Sequence, residues 1–159
     1  MIKNNVIRLL DQRKIAYTAY ELPAEKTGAI ETAKLLNAPA EMVYKTIVVV
    51  RRGRGKPILA IVPGPDQVDL KSLAKTVGEK KVKLPTQRNA EKLTGLRAGG
   101  ISPLALINRG FQVVLDSSAR DKEEIHISGG QRGLNIRLPV SDLVNLTQAR
   151  FAEISRSAA

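Results

Sequence analysis

The spacing of apolar residues changes along the chain, and the changes mark its elements. From Asn4 to Lys14, Val6, Leu9 and Leu10 recur at helical spacing with charges between them, which predicts an amphipathic helix ending near Ile15. Residues 16–22 carry Tyr17 and Tyr20 ahead of Pro23 and predict a short strand. Thr27 to Asn37 places Ile30, Ala33 and Leu36 on one side of a second helix, and 38–43 reads as a helical turn. The β-branched run Thr46-Ile-Val-Val-Val50 predicts a buried strand over 43–51. The segment Arg51-Arg-Gly-Arg-Gly-Lys56 then turns the chain, so that 57–62 returns antiparallel.

Asp69 or its neighbour is placed to cap a helix through Leu70, Leu73, Ala74 and Val77, stopped by Gly78, and 80–84 follows as a strand broken by Pro85. A helix over 86–93 ends at Gly95. Beyond it, 105–108 and 111–115 read as extended and 116–119 as a turn. Glu124-Ile-His-Ile-Ser128 alternates, with Ile125 and Ile127 on one face and His126 and Ser128 on the other. A short strand over 135–138 and a helix over 141–146, capped by Ser141 or the preceding turn, complete the pattern, with a frayed tail beyond Ile154. Strands alternating with helices and hairpins predict a mixed α/β sheet in a single domain over 1–159, with no repeat or linker.

Two loops break the periodicity. Ala98-Gly-Gly-Ile-Ser-Pro-Leu-Ala105 and Ser128-Gly-Gly-Gln-Arg-Gly-Leu-Asn135 combine adjacent glycines, which bare the backbone N–H groups, with small polar side chains. Both are what a loop facing a ligand contains, and both are also what ordinary turns contain. Lys45, at the entrance of the buried strand, can aim an ammonium at a site while its stem packs on apolar neighbours. Tyr20 is placed either to line a pocket or to sit as a half-buried strand tyrosine.

Composition narrows the chemistry. The 159 residues include 26 Lys and Arg against 15 Asp and Glu, a formal charge of +11, which favours a polyanionic partner, nucleic acid first. Aromatics are only 3%, too few for a base-stacking platform. No apolar run reaches the roughly 20 residues of a membrane helix, and the N-terminus lacks a secretory pattern, so a cytoplasmic protein is expected. The chain has no cysteine and one histidine, which removes a cysteine nucleophile and leaves neither a triad nor a metal set, His126 reading as an ordinary strand residue. Phosphate-loop and dinucleotide fingerprints are also absent.

What remains is a set of donors: loop amides, the hydroxyls of Ser102 and Ser128, the Asn135 amide and the Lys45 ammonium. Such donors stabilise a developing oxyanion on an already activated ester, and an aminoacyl ester on RNA is one such substrate. The basic segments 51–56 and 80–83 are suited to phosphates, or equally to being solvated hairpins.

Val43-Tyr-Lys-Thr-Ile47, Val68-Asp-Leu-Lys71, Gly99-Gly-Ile-Ser-Pro-Leu104 and Ser128-Gly-Gly-Gln-Arg-Gly-Leu134 together resemble the YbaK/ProX family, free-standing relatives of the editing domain of bacterial prolyl-tRNA synthetase. The resemblance runs in order over essentially the whole chain. It implies a curved, barrel-like mixed sheet flanked by helices, and hydrolysis of amino acids wrongly attached to tRNA, above all cysteine on proline tRNA. It implies no metal or organic cofactor. Mischarged proline tRNA is the partner it implies, and prolyl-tRNA synthetase is a candidate second partner.

By this likeness Lys45 holds the 3′-terminal phosphate or ribose, and Gly99 and Gly100 supply backbone contacts near the aminoacyl carbonyl. Ile101, Ser102, Ser128, Gly129 and Gly130 belong to the same pocket, as does Tyr20, and Thr46 resembles the cysteine-editing members. One position departs: similar members carry Asp after Arg-Gly-Leu, where this chain has Asn135. An amide cannot pair with an α-ammonium as a carboxylate does, so a deacylase for alanine or another small amino acid, and a non-catalytic tRNA-binding or synthetase-associated module, stand as alternatives.

Overall fold

Helix α1 (Asn5–Gln12) starts where Asn4 Oδ1 accepts the Ile7 N–H at 2.9 Å. It buries Val6, Ile7 and Leu10, so Ile7 takes the core position expected of Leu9, which is half-buried. The computed structural model describes residues 2–158; Met1 and Ala159, the ends of the expected domain, lie outside the described residues. After α1 come β1 (Thr18–Glu21), α2 (Ala29–Leu36), β2 (Tyr44–Arg51), β3 (Ile58–Pro63), β4 (Asp66–Val68), α3 (Leu70–Thr76) and β5 (Val82–Lys83). The second half adds α4 (Gln87–Thr94), β6 (Gln112–Asp116), β7 (Glu124–Ser128), β8 (Leu134–Pro139), α5 (Val140–Thr147), β9 (Arg150–Ala152) and β10 (Ser155–Ser157).

The largest sheet has the order β5-β2-β3-β6-β9, with β2 antiparallel to β3 and β5, and β3, β6 and β9 mutually parallel. β3 is buried along its whole length because each face meets its own apolar cluster. Leu59 and Ile61 join α1, Leu115, Ile125, Ile136 and Leu143; Ile58, Ala60 and Val62 join Leu73 of α3, Val82, Val114 and Ile154. A strand buried on both faces reads as an unbroken apolar run, as 58–62 does.

A second sheet, β1-β8-β7, is antiparallel throughout, and a parallel bridge from Val43 to His126 ties it to the start of β2. The sheets do not close, so barrel-like describes the architecture only loosely: among the described residues β5 and β9 are the edge strands of the larger sheet.

Several sequence expectations are corrected. Residues 103–106 form a 3-10 turn where 105–108 was expected to be extended, because the Ser102 hydroxyl accepts the Leu104 N–H and Pro103 fixes the first turn. Ile30 is 52% exposed, and Ala33 alone among the three expected core residues of α2 is fully buried. α5 begins at Val140, with Pro139 at its cap position and Ser141 inside the helix. The tail does not fray: β10 pairs with β4 and Ile154 is fully buried. Among the described residues no helix is long and apolar enough to cross a membrane.

The tail is anchored by Asp116, which is 2% exposed. Its Oδ1 accepts the Ile154 N–H at 3.0 Å while Oδ2 accepts the Ser118 N–H at 3.2 Å, capping the 3-10 turn 117–121. Removing the carboxylate leaves a buried N–H unmatched and a turn uncapped. Asp116→Ala is expected to cost about 2–4 kcal/mol, read as a lowered denaturant midpoint at unchanged slope. A loss below about 0.5 kcal/mol would show the tail to be held by apolar burial alone.

Candidate functional site

β2 is fully paired with β3 on one edge, from Tyr44 to Val49. Its other edge is paired only at the ends, where Val43 bridges to His126 and Val50 and Arg51 pair with β5. β5 is two residues long because Pro85 cannot extend the ladder, so the stretch between stays open. A cleft of about 390 Å³ fills that gap, and its wall includes Lys45, Thr46, Gly99, Ile101, Ser128 and Asn135. Much of the remaining wall is apolar, as in sites that use a few polar groups for orientation.

The two glycine loops form one wall because they touch each other. A Cβ on Gly100 would lie 2.8 Å from Gln131 Cα and 2.9 Å from its carbonyl carbon, so only glycine permits this approach. Arg132 Nε donates to Ala98 O at 2.6 Å across the contact, and Asn4 Nδ2 donates to Gly129 O at 2.9 Å from the cap of α1. Gly130 has φ +96, and an added Cβ would meet Val6 at 2.9 Å. At Gly129 it would meet Leu134 Cγ at 2.5 Å.

Glycine therefore packs the loops here, and most of the bared amides are already engaged. Gly100 N–H donates to Arg97 O, Gly129 N–H to Leu134 O and Gly130 N–H to Ser128 Oγ. Gly99, with φ +90, and Gly133, with φ +86, are the exceptions: neither N–H has a partner among the described residues, and both lie on the cleft.

The remaining expected residues divide in the same way. Ser102 is fully buried and serves as the cap described above. Tyr20 stands opposite Asn135 in the register of β1 and β8, its ring 5.4 Å from that of His126 and covered by the Arg137 guanidinium at 5.8 Å. Tyr20 thus sits beside Asn135, outside the cleft wall. Thr46 Oγ1 is buried on the cleft with no hydrogen-bond partner, a donor and acceptor left for a ligand. Burial lowers the Lys45 ammonium below its ordinary pKa, against an opposing pull from Asp66, and no ion pair holds it among the described residues.

His126, read from the sequence as an ordinary strand residue, is joined to the site. It is 6% exposed, and its Nδ1–H donates to Asn135 Oδ1 at 2.9 Å. That bond uses the amide oxygen, leaving the Asn135 N–H groups for the cleft. The alternation already put His126 and Ser128 on one face, but their link to Asn135 depends on the β7–β8 register. Wall residues from distant segments, such as Leu22, Thr32 and Leu84, carry no local signal of their place. Among the described residues that line the cleft no nucleophile is hydrogen-bonded to a base: Ser128 Oγ accepts from Gly130 and has no bond to His126.

Residues 24–146 match the family model described as the aminoacyl-tRNA editing domain. A protein of Enterococcus faecalis with the provisional name Cys-tRNA(Pro)/Cys-tRNA(Cys) deacylase EbsC is 34% identical over 155 residues, 96% of this chain and 93% of that protein. The prolyl-tRNA editing protein ProX of Acetoanaerobium sticklandii is 25% identical over 152 residues, 92% of this chain and 91% of that one. A crystal structure described provisionally as a trans-editing enzyme for prolyl-tRNA synthetase superposes with a TM-score of 0.81 at 25% identity, covering 99% of this chain and all of that one.

Two measurements check the site's construction. Gly100→Ala is expected to cost about 1–3 kcal/mol by forcing the loops apart, whereas Gly53→Ala, whose methyl meets nothing within 4 Å, is near neutral; equal stability of the two variants would remove the loop contact from this account. The second concerns His126, whose pKa lies below the ordinary 6.5 chiefly through burial, with Arg137 acting the same way and Asn135 and Glu124 opposing. The unfolded chain then takes up the proton first, so stability is complete above about pH 6.5 and falls as pH drops toward the folded-state pKa. With one histidine and no cysteine in the chain, the denaturation midpoint should decline between pH 7 and 5 in the parent, and more weakly in His126→Gln; identical pH profiles would contradict it.

Proposed function

The chain belongs to the aminoacyl-tRNA editing domain family, and from that premise we propose that it is a hydrolase that removes a small, wrongly attached amino acid from tRNA in trans, cysteine on proline tRNA first. The observation that carries this reading is a cleft dominated by groups of the positioning kind, with Glu25 as the one carboxylate on its wall among the described residues. Among the described residues of the cleft Lys45 is unpaired, Thr46 Oγ1 and Gly99 N–H are unsatisfied, and no nucleophile is hydrogen-bonded to a base. An aminoacyl ester is activated enough for such a site, where fixed donors at the developing oxyanion supply much of the acceleration.

In this reading Lys45 holds the phosphate or ribose of the tRNA 3′ end and Gly99 N–H faces the ester carbonyl. Ser128 and Thr46 bound the side-chain pocket. Gly100, Gly129 and Gly130 act by holding the loops, and Tyr20 and His126 by fixing Asn135. For cysteine the nucleophile is the substrate's own thiol. Sulfur bonds to the carbonyl carbon, the bond to the ribose oxygen breaks, the thiol proton passes to that oxygen, and water then opens the thiolactone to free cysteine. Alanine and other small residues would need water as the nucleophile in the same cleft. The described residues act as one editing unit, to which prolyl-tRNA synthetase could deliver mischarged tRNA.

Asn135 bears on both specificity and turnover. Held by His126, it offers N–H donors where a carboxylate would offer a negative charge, so the α-ammonium gains no ion pair there. Proline tRNA charged with Cys, Ala or Ser is the test. Ester loss above the spontaneous rate is expected for Cys ahead of Ser, which matches it in size but lacks the thiol. Lys45→Ala is expected to lower the rate on the order of 10²-fold, and Asn135→Asp to shift substrate preference. No enzyme-dependent loss with any of the three would sink the deacylase reading, and gain of turnover only in Asn135→Asp would favour a binding module that has lost catalysis.

A further inference from the structure

The basic segments 51–56 and 80–83 are far apart in sequence and are joined in the fold. β5 pairs with the far end of β2, setting Val82 opposite Arg51 and Lys83 opposite Val50. Arg51, Arg52, Lys81 and Lys83 then line a second cavity, of about 330 Å³. Arg51 is committed to the protein: its Nε donates to Lys56 O at 2.9 Å, and its two terminal nitrogens donate to Glu79 Oε2 and Gln112 Oε1. It thereby fixes the β2–β3 hairpin and occupies Glu79, the neighbouring carboxylate. Arg52, Arg54, Lys80, Lys81 and Lys83 are exposed, and none forms an ion pair among the described residues.

The position of this surface separates it from a scatter of solvated charges. It is continuous with the cleft along two segments, β2 and 83–85. β2 carries Lys45 on the cleft and Arg51 at the basic end, about 20 Å apart at roughly 3.3 Å per residue. Lys83 leads directly into Leu84 and Pro85, which line the cleft. Leu84 is 55% exposed at that junction, apolar surface beside the cations. A polyanion whose end lies at Lys45 would cross this edge as it leaves.

We propose that the β2–β5 edge, with Arg52, Lys81 and Lys83 at its centre, binds the phosphate backbone of the RNA whose 3′ end enters the cleft. This rests on the deacylase reading for which end enters, but its electrostatics do not depend on turnover. The contacts are to phosphates and so carry no sequence information; they set affinity and register. The competing role for lysines on a free edge strand is protection against edge-to-edge association.

The test compares the triple variant R52Q/K81Q/K83Q with a control triple, R8Q/R13Q/K14Q, at exposed positions around α1, a helix packed on the other apolar cluster. Binding of uncharged tRNA is measured from 50 to 200 mM salt, which requires no catalysis. Each phosphate contact contributes about 0.7–0.9 to the slope of log K against log salt, so the edge variant should lose about 2–3 from that slope and the control less than 1. With charged tRNA, the edge variant should raise KM, while hydrolysis of a short 3′-aminoacyl trinucleotide stays at the parent rate. An unchanged slope, an equal loss in the control, or self-association of the edge variant with unaltered tRNA binding would overturn the proposal. A reduced slope in a protein that hydrolyses no ester would uphold the surface and reject the deacylase reading instead.

Discussion

The approach of two backbones at Gly100 is the constraint on which the site depends. A chain segment can lie within about 3 Å of where a Cβ would stand only if that Cβ is missing, and here the missing atom lets 98–102 rest on 131–132. Arg132 then closes the contact through Ala98 O, and Asn4 ties the second loop to the cap of α1. One helix terminus and two loops become a single rigid wall. Gly99 and Ser128 face the same cleft because their neighbours are pinned in this way.

The opposite wall exists because a strand is left incompletely paired. A β-strand edge exposes N–H and C=O groups that ordinarily seek a partner, and β2 keeps such an edge open between His126 and β5. Pairing at both ends leaves no room for another strand along that edge, and much of the wall around the opening is apolar. Lys45 sits in that stretch with its charge partly desolvated and unpaired. An ammonium so placed gains more from an incoming anion than one already held by a carboxylate.

His126 and Asn135 show how the register between two strands builds a polar pair beside the cleft. Asn135 keeps the place and the hydrogen bond that its position on β8 requires, and His126, Tyr20 and Arg137 surround it on one face of the small sheet. Its charge state is fixed at neutral. An amide at this place offers the cleft N–H donors and no negative charge.

The strands and helices were largely legible in the sequence because their signals are local. The alternation of 124–128, the β-branched run 46–50 and the caps at Asp69 and Gly95 follow from neighbouring residues, and the structure agrees with them. Lys45, Thr46, Gly99, Ile101, Ser128 and Asn135 were picked out by residue type and resemblance, and they do share one cleft. Sequence could not assign work among the glycines, since whether an amide is free or engaged depends on which distant backbone lies against it. Nor could it separate Ser102 as a buried cap from Ser128 on the cleft, pair His126 with Asn135, or see that 155–157 adds a strand to β4. Local propensity and composition therefore determined the elements, the basic character and the donor chemistry. Only the tertiary structure decided which donors are left unsatisfied, because hydrogen bonds and steric contacts between remote segments use up the rest.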